Sequence, residues 1–226
     1  MKVWFFPGIL GILAIFAGNL AFLISASEGY LELCFPYLEG CSSISKSGRE
    51  GLAQILFKMI VLPVMTLLII YWSISWNFLK TLVPQSKVQN MLILFLGILG
   101  SFFGILYTSF LGHEGDFYQL LRRFGIYFFF LGTYFAQVIE VKQLLKIAEF
   151  KNFVFLKSMK FLTFLIGFVV LISVPFYAFI EDDDWLENIL EWNITFLVFF
   201  YFILCSPLWK RIELKMNVKL ENFSEE

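Results

Sequence analysis

The sequence predicts an all-α integral membrane protein, a bundle of six transmembrane helices with both termini in the cytoplasm. Three observations predict it. Of the 226 residues, 59% are hydrophobic and 15% charged, with 30 phenylalanines, more apolar surface than a soluble domain of this length can bury. Six apolar stretches are each long enough to cross a hydrocarbon core about 30 Å thick at about 1.5 Å per residue. No stretch alternates polar and apolar residues over about ten positions, as a membrane barrel requires. Residues 1–226 read as a single transmembrane domain, with a long loop at 25–52 and a tail at 210–226.

The first span, residues 3–24, has a short basic start (Met1, Lys2) and a small-residue exit at Ser25-Ala26-Ser27. That layout also fits a secretory signal, but the apolar run exceeds the roughly 7–15 residues of a cleaved one. Pro7 and Asn19 also interrupt it. It is read as a retained span; cleavage would leave five spans and keep every later loop on its side. The second span, 53–79, carries Lys58 near one end and Pro63 inside. The third, 91–111, holds Gly97, Gly100 and Gly104 on or near one face, a pattern that lets helices approach closely. The fourth, 124–141, is the shortest and is crowded with aromatics. Residues 140–160 alternate lysines with apolar side chains, as helix ends lying partly in the membrane interface would. The fifth and sixth spans cover 161–180 and 189–209, and the mixed-charge tail beyond is expected to fray. No internal repeat is visible, which weakens an inverted-repeat transporter reading.

Orientation follows from the basic residues. Twelve of the 17 Lys and Arg fall on the side that holds both termini, and four (Lys46, Arg49, Arg122, Arg123) on the other, with Lys58 inside the second span. The basic side is cytoplasmic, which puts the 25–52 loop outside and the protein in a cell membrane. The net charge of −1 therefore conceals a polarised molecule. Its basic inner face suits anionic lipid at about 1 kcal/mol per basic residue near the surface, and nothing supports nucleic-acid binding.

Chemistry has few places to reside. Cys34 and Cys41 bracket a turn suited to Pro36 and Gly40. On the oxidising side of a membrane the first reading is a structural disulfide; the alternative is a redox pair, for which the only other cysteine is Cys205 in the sixth span. Ser43, Ser45, Lys46 and Arg49 sit around backbone amides near Gly48, and hydroxyls with an arginine suit a phosphate or sugar head group. The plain alternative is a solvated loop with Ser47 capping the second helix. His113, the single histidine, stands with Glu114 and Asp116 on the next outer connector, ahead of Arg122 and Arg123. One histidine cannot make a usual zinc site, but it could serve as a general base with a carboxylate. On the third outer loop Asp184 and Glu187 have capping-box spacing. Glu187, Glu191 and Thr195 then form a polar stripe, and a carboxylate as deep as Glu191 needs a partner, which Arg49, Arg122 or Arg123 could supply. A divalent cation at Asp182 to Asp184 is a weak alternative. Glu140, at the inner edge, and Lys58 are the other charges near a span interior.

Several of these passages resemble the FRAG/DRAM/SFK family of six-span membrane proteins, which includes FGF-receptor-activating and autophagy-modulator proteins and a Golgi protein acting after GPI attachment. The resemblance is carried by six spans with both ends inside, by PYLEGCSSISKSGREG entering the second span, and by FYQLLRRFGIYFFFLGTYFAQVI at the fourth. Where the family often has a histidine near the fourth helix entrance, this chain has Arg122 and Arg123, with His113 upstream. The resemblance implies lipid remodelling, lipid distribution or regulation of lipid kinases. The leading expectation is therefore a protein that binds, organises or helps remodel lipids or lipid-linked glycans at the outer leaflet. Its head-group site would use Ser43, Ser45, Arg49, His113, Arg122, Arg123 and Glu191. A second expectation is an acyl- or head-group transferase using His113 with Glu114 or Asp116, and a third is a small-solute transporter. Membrane lipids and a further membrane protein are the expected partners; no metal or cofactor is expected.

Overall fold

A computed structural model describes residues 3–179 and 184–224, and the side chains of 3–173 and 184–213. The described residues form helices: α1 (Phe6–Ser27), α2 (Pro36–Glu39), α3 (Ile44–Ser47), α4 (Gly51–Leu82), α5 (Lys87–Phe110), α6 (Asp116–Leu144), α7 (Val154–Phe179) and α8 (Asp184–Ser224). Six of them, all but α2 and α3, are long and apolar enough to cross a membrane. They pack as a ring in which α4, α5, α6, α7 and α8 follow in order and α1 closes the circle between α8 and α4.

The glycines of α5 set its two tightest contacts. A side chain on Gly100 would lie 3.0 Å from the Thr133 backbone nitrogen, and one on Gly132 would lie 2.9 Å from Gly100 itself, so α5 and α6 touch backbone to backbone. Gly97 makes room for the Trp72 ring of α4. Pro63 and Pro207 are accommodated inside α4 and α8.

Three local features differ from the sequence reading, and a fourth, the 140–160 reversal, gains detail. The fourth span is no short helix: α6 starts at Asp116, directly after Gly115 at φ 112°, so residues 116–123 extend the helix instead of forming a connector. The chain reverses through a 3-10 turn at Ala148–Phe150, and Leu144, Ile147, Phe150 and Leu156 are buried in the bundle. Lys146 Nζ fastens this reversal to the Pro84–Ser86 turn, donating to Ser86 Oγ at 2.8 Å and to Gln143 Oε1 at 2.9 Å. The backbone of α8 stays helical to Ser224, because the tail contains helix formers and no breaker. Ser47 does not cap the second span, whose cap position is Glu50; the Ser47 hydroxyl instead donates back to Ser43 O at 2.8 Å.

The 25–52 segment lies at one end of the ring, with the α5–α6 connector and the start of α8. Gly40 adopts φ 62° and ends α2, its N–H bonding Pro36 O at 3.2 Å. Cys34 and Cys41 lie at disulfide distance around α2, with Cα atoms 6.6 Å apart, inside the usual range of roughly 4.4–6.8 Å. Asparagines then pin the segment to the helices below. Asn188 Nδ2 donates to Gly40 O at 2.8 Å, Asn193 Nδ2 to Tyr37 O at 2.9 Å, and Asn19 Nδ2 to Tyr37 Oη at 2.9 Å. Burial pushes the Tyr37 phenol above its ordinary range, with the Asn19 hydrogen bond opposing that shift.

Candidate functional site

The loop end of the ring carries a polar pocket above an apolar crevice. Ser43 caps α3 by accepting from Lys46 N at 3.0 Å, which fixes Ser45, two residues on, over the ring interior. Ser45 N donates to Glu191 Oε1 of α8 at 3.2 Å, its hydroxyl reaches the same oxygen at 3.4 Å, and Ser45 Oγ lies 2.8 Å from Tyr107 Oη of α5. Three elements from distant parts of the chain therefore meet on one hydroxyl.

The pocket beside this junction is lined by Arg49, Glu50, Gly112, His113, Glu114, Gly115 and Arg122. Gln54 Nε2 ties the start of α4 to Leu111 O at 3.0 Å, and Arg122 Nη1 donates to Phe110 O at 3.3 Å and also to His113 O. Arg122 thus holds the α5–α6 connector in shape while its charge stays within electrostatic reach of Arg49 and Tyr107. The two guanidinium groups share this pocket with the carboxylate side chains of Glu50 and Glu114.

The structure brings together Ser45, Arg49, His113, Glu114, Arg122 and Glu191 at this end of the ring. It does not bring Arg123 or Asp116, which are exposed on α6 and line neither cavity. Glu191 is partnered, but by Ser45 instead of an arginine; Arg49 acts on it only at longer range. The His113 ring sits against Phe110 and Tyr118, with ring centroids 6.0 and 5.4 Å away. Among the described residues no hydrogen bond joins that ring to Glu114 or Asp116, so the geometry lends no support to a His113 base. Asp184 and Glu187 both fall in the first turn of α8; the cap position and the proposed cation ligands Asp182 and Asp183 lie outside the described residues.

Beneath Tyr107 and Glu191 the ring interior opens into a narrow crevice of about 600 Å³, mouth included. Its walls are apolar side chains of α1, α4, α6 and α8, with Glu191, Thr195 and Tyr107 as its polar residues together with the Tyr37 ring. Trp192 closes one wall, its indole N–H donating to Ser42 O at 2.8 Å.

A second polar cluster, absent from the sequence reading, lies at the opposite end of the ring. Glu140 is 2% exposed. Tyr71 Oη donates to its two carboxylate oxygens at 3.0 and 2.9 Å, Tyr201 Oη donates at 2.8 Å, and Ser75 Oγ completes the set. Cys205 Sγ lies 3.3 Å from Tyr71 Oη, and Trp209 stacks on the Tyr71 ring at 5.0 Å. The carboxylate thus links α4, α6 and α8 through hydroxyls. The available signal was spacing: Tyr71 with Ser75, and Tyr201 with Cys205, each place two polar groups four residues apart on an apolar helix.

No protein family, curated protein or solved structure matches this chain.

Proposed function

We propose that this is a polytopic protein of a cell membrane, with both termini in the cytoplasm, that binds lipid head groups at the outer leaflet and so organises or assists remodelling of lipids or lipid-linked glycans. The supporting observation is the stacking of two environments at one end of the ring. A pocket flanked by Arg49 and Arg122 sits beside the Ser45–Tyr107–Glu191 junction, and an apolar crevice begins directly below. A lipid has the same two parts in the same order. The basic-residue asymmetry puts this end outside, and the FRAG/DRAM/SFK resemblance implies lipid work as well. The opposite end argues against a through-going polar path, since Tyr71, Trp72, Phe202 and Trp209 are buried around Glu140.

Native mass spectrometry of the detergent-purified protein tests the reading. An anionic lipid enriched over its membrane abundance, and lost in Arg49→Ala and Arg122→Ala, is the expected result. No enrichment, together with arginine variants that behave as wild type, would remove the head-group site.

A further inference from the structure

The segment between Cys34 and Cys41 reads as an outer loop by sequence, yet the structure seats it beside the spans. Contacts with α8 set its depth. Gly40 packs on Trp185 O, and Asn188 Nδ2 holds the Gly40 carbonyl at 2.8 Å. Tyr37, earlier in the chain, is held lower: its carbonyl accepts from Asn193, and its ring stands 6.3 Å from Phe196. The uncharged run of α8, residues 192–209, lies between Glu191 and Lys210. It is about 27 Å long, close to the thickness of a hydrocarbon core, so Tyr37 is level with the outer edge of that core. On α1, Asn19 donates to Tyr37 Oη at 2.9 Å, about 12 Å along the helix from its end at Ser27. Both helices thus place α2 below their outer ends.

The segment also lies on the outer flank of the ring. Glu191 faces the ring interior, where it meets Ser45 and lines the crevice. Ile189 and Asn193, which touch Gly40 and Tyr37, are each two residues from Glu191, so about 160° round the helix from it. Asn19 shares a face of α1 with Phe16 and Leu23, both exposed. On this flank the segment presents Leu33 at 77% exposure, Leu38 at 73% and Phe35 at 56%.

Its backbone is satisfied as hydrocarbon requires. The Phe35 N–H donates to Glu39 Oε1 at 2.7 Å, and the carbonyls of Tyr37, Gly40 and Ser42 accept from the side chains of Asn193, Asn188 and Trp192. Water would serve these groups in a solvated loop, whereas lipid chains cannot. Residues 3–45 contain no lysine or arginine, so apolar burial, not attraction to an anionic surface, would hold the segment in place.

We infer that α2 and its flanks form a wedge set into the outer leaflet, with Leu33, Phe35 and Leu38 among lipid acyl chains. The inference rests on the membrane reading above and is independent of the head-group pocket.

A tryptophan at Leu38 tests it in full-length protein reconstituted in phosphatidylcholine vesicles, the emission added over wild type being the signal. Phosphatidylcholine brominated along its chains reports contact with lipid, and aqueous acrylamide reports contact with water. Leu38→Trp should lose most of its added emission to brominated lipid and little to acrylamide. Bromine near the head group should quench it more than bromine near the chain end. Leu33→Trp provides a second site and should behave alike; both positions are exposed, so the fold has room for the larger ring. Lys46→Trp, exposed on α3, should show the reverse, and Phe16→Trp is the control on a spanning helix.

Acrylamide quenching at both Leu38 and Leu33, with Phe16→Trp quenched by lipid, would make the segment a solvated loop. That result would overturn the wedge and leave the membrane reading standing. Protection from both quenchers would mean that protein covers the segment, a second copy of this chain included, and would overturn the lipid assignment. A Phe16→Trp protein untouched by brominated lipid would overturn the membrane reading and the wedge together.

Discussion

Replacing Glu140 by alanine should destabilise the bundle by about 2–5 kcal/mol. The magnitude follows from the three hydroxyls of Tyr71, Ser75 and Tyr201 that point at its carboxylate. Interhelical hydrogen bonds in membranes contribute on average about 0.6 kcal/mol each and at most about 1.7. A buried donor left without an acceptor costs about 1–3 kcal/mol. Three donors with limited freedom to turn elsewhere give the range. Tyr201 has one alternative, since its hydroxyl lies 3.4 Å from Gln137 O; Tyr71 and Ser75 have none as good. Glu140→Gln keeps the shape and one carbonyl acceptor, so its loss should be smaller, about 1–2 kcal/mol.

Reversible unfolding in mixed micelles of increasing denaturing-detergent fraction measures these values. Tryptophan emission is a suitable probe because Trp209 stacks on Tyr71. A double-mutant cycle of Glu140→Ala with Tyr201→Phe should return a coupling of about 0.5–3 kcal/mol, as for residues sharing one network. A Glu140→Ala protein within about 0.5 kcal/mol of wild type, the usual effect of a change away from such features, would refute the reasoning. Strict additivity in the cycle would refute it equally, since it would mean that the hydroxyls do not depend on the carboxylate.

Three further outcomes follow from the packing and the loops. Cys34→Ser, or full reduction, should lower stability by about 2–3 kcal/mol on the chain-entropy estimate for so short a loop; an unchanged melt in reductant would mean that no bond closes it. Gly100→Leu should cost at least about 1–3 kcal/mol by overpacking, because the new side chain meets the backbone of α6; a neutral melting temperature would mean that α5 and α6 are not in backbone contact. In sealed cells a membrane-impermeant thiol reagent should label Lys46→Cys and spare Lys87→Cys, both on a background lacking the native cysteines. The reverse pattern would invert the topology.

Six spans were legible because bilayer thickness is a strong constraint: apolar runs of about 20 residues have few other uses. The packing role of Gly97, Gly100 and Gly104 was legible for a similar reason, since small residues on one face of an apolar helix have few purposes besides close approach. Span ends were less legible. Residues 116–123 include Asp116, Gln119, Arg122 and Arg123, yet they continue α6, because charge marks the limit of the hydrocarbon and not the limit of the helix. Ser45, Arg49, His113 and Arg122 were picked out by residue type, and they do gather at one end. Their partners were not legible: that Glu191 would meet Ser45 and Tyr107 depends on α3, a four-residue helix capped by Ser43, which no periodicity announces.

Glu140 is the most informative miss. Along the chain it stands at the inner edge of the fourth span, among the few charges near a span interior, but nothing in the pattern names its partners. Which way it points is decided by the turn of α6, three residues after Gln137 and one helical turn past Ala136, both fully buried. Its partners arrive from two other helices, 69 and 61 residues away in sequence. A buried carboxylate in a membrane bundle is expensive unless its lone pairs are filled, so Tyr71, Ser75 and Tyr201 should have been sought as soon as Glu140 was assigned to the bundle face. The same requirement separates the two ends of the ring. At the Glu140 end every hydroxyl is committed to one carboxylate among stacked aromatics, which suits a fixed anchor. At the Ser45 end a single serine serves both Glu191 and Tyr107 while Arg49 stays exposed. Two carboxylates therefore stand at the two ends of one ring: Glu140 joins α4, α6 and α8, and Glu191 joins α8 to α3.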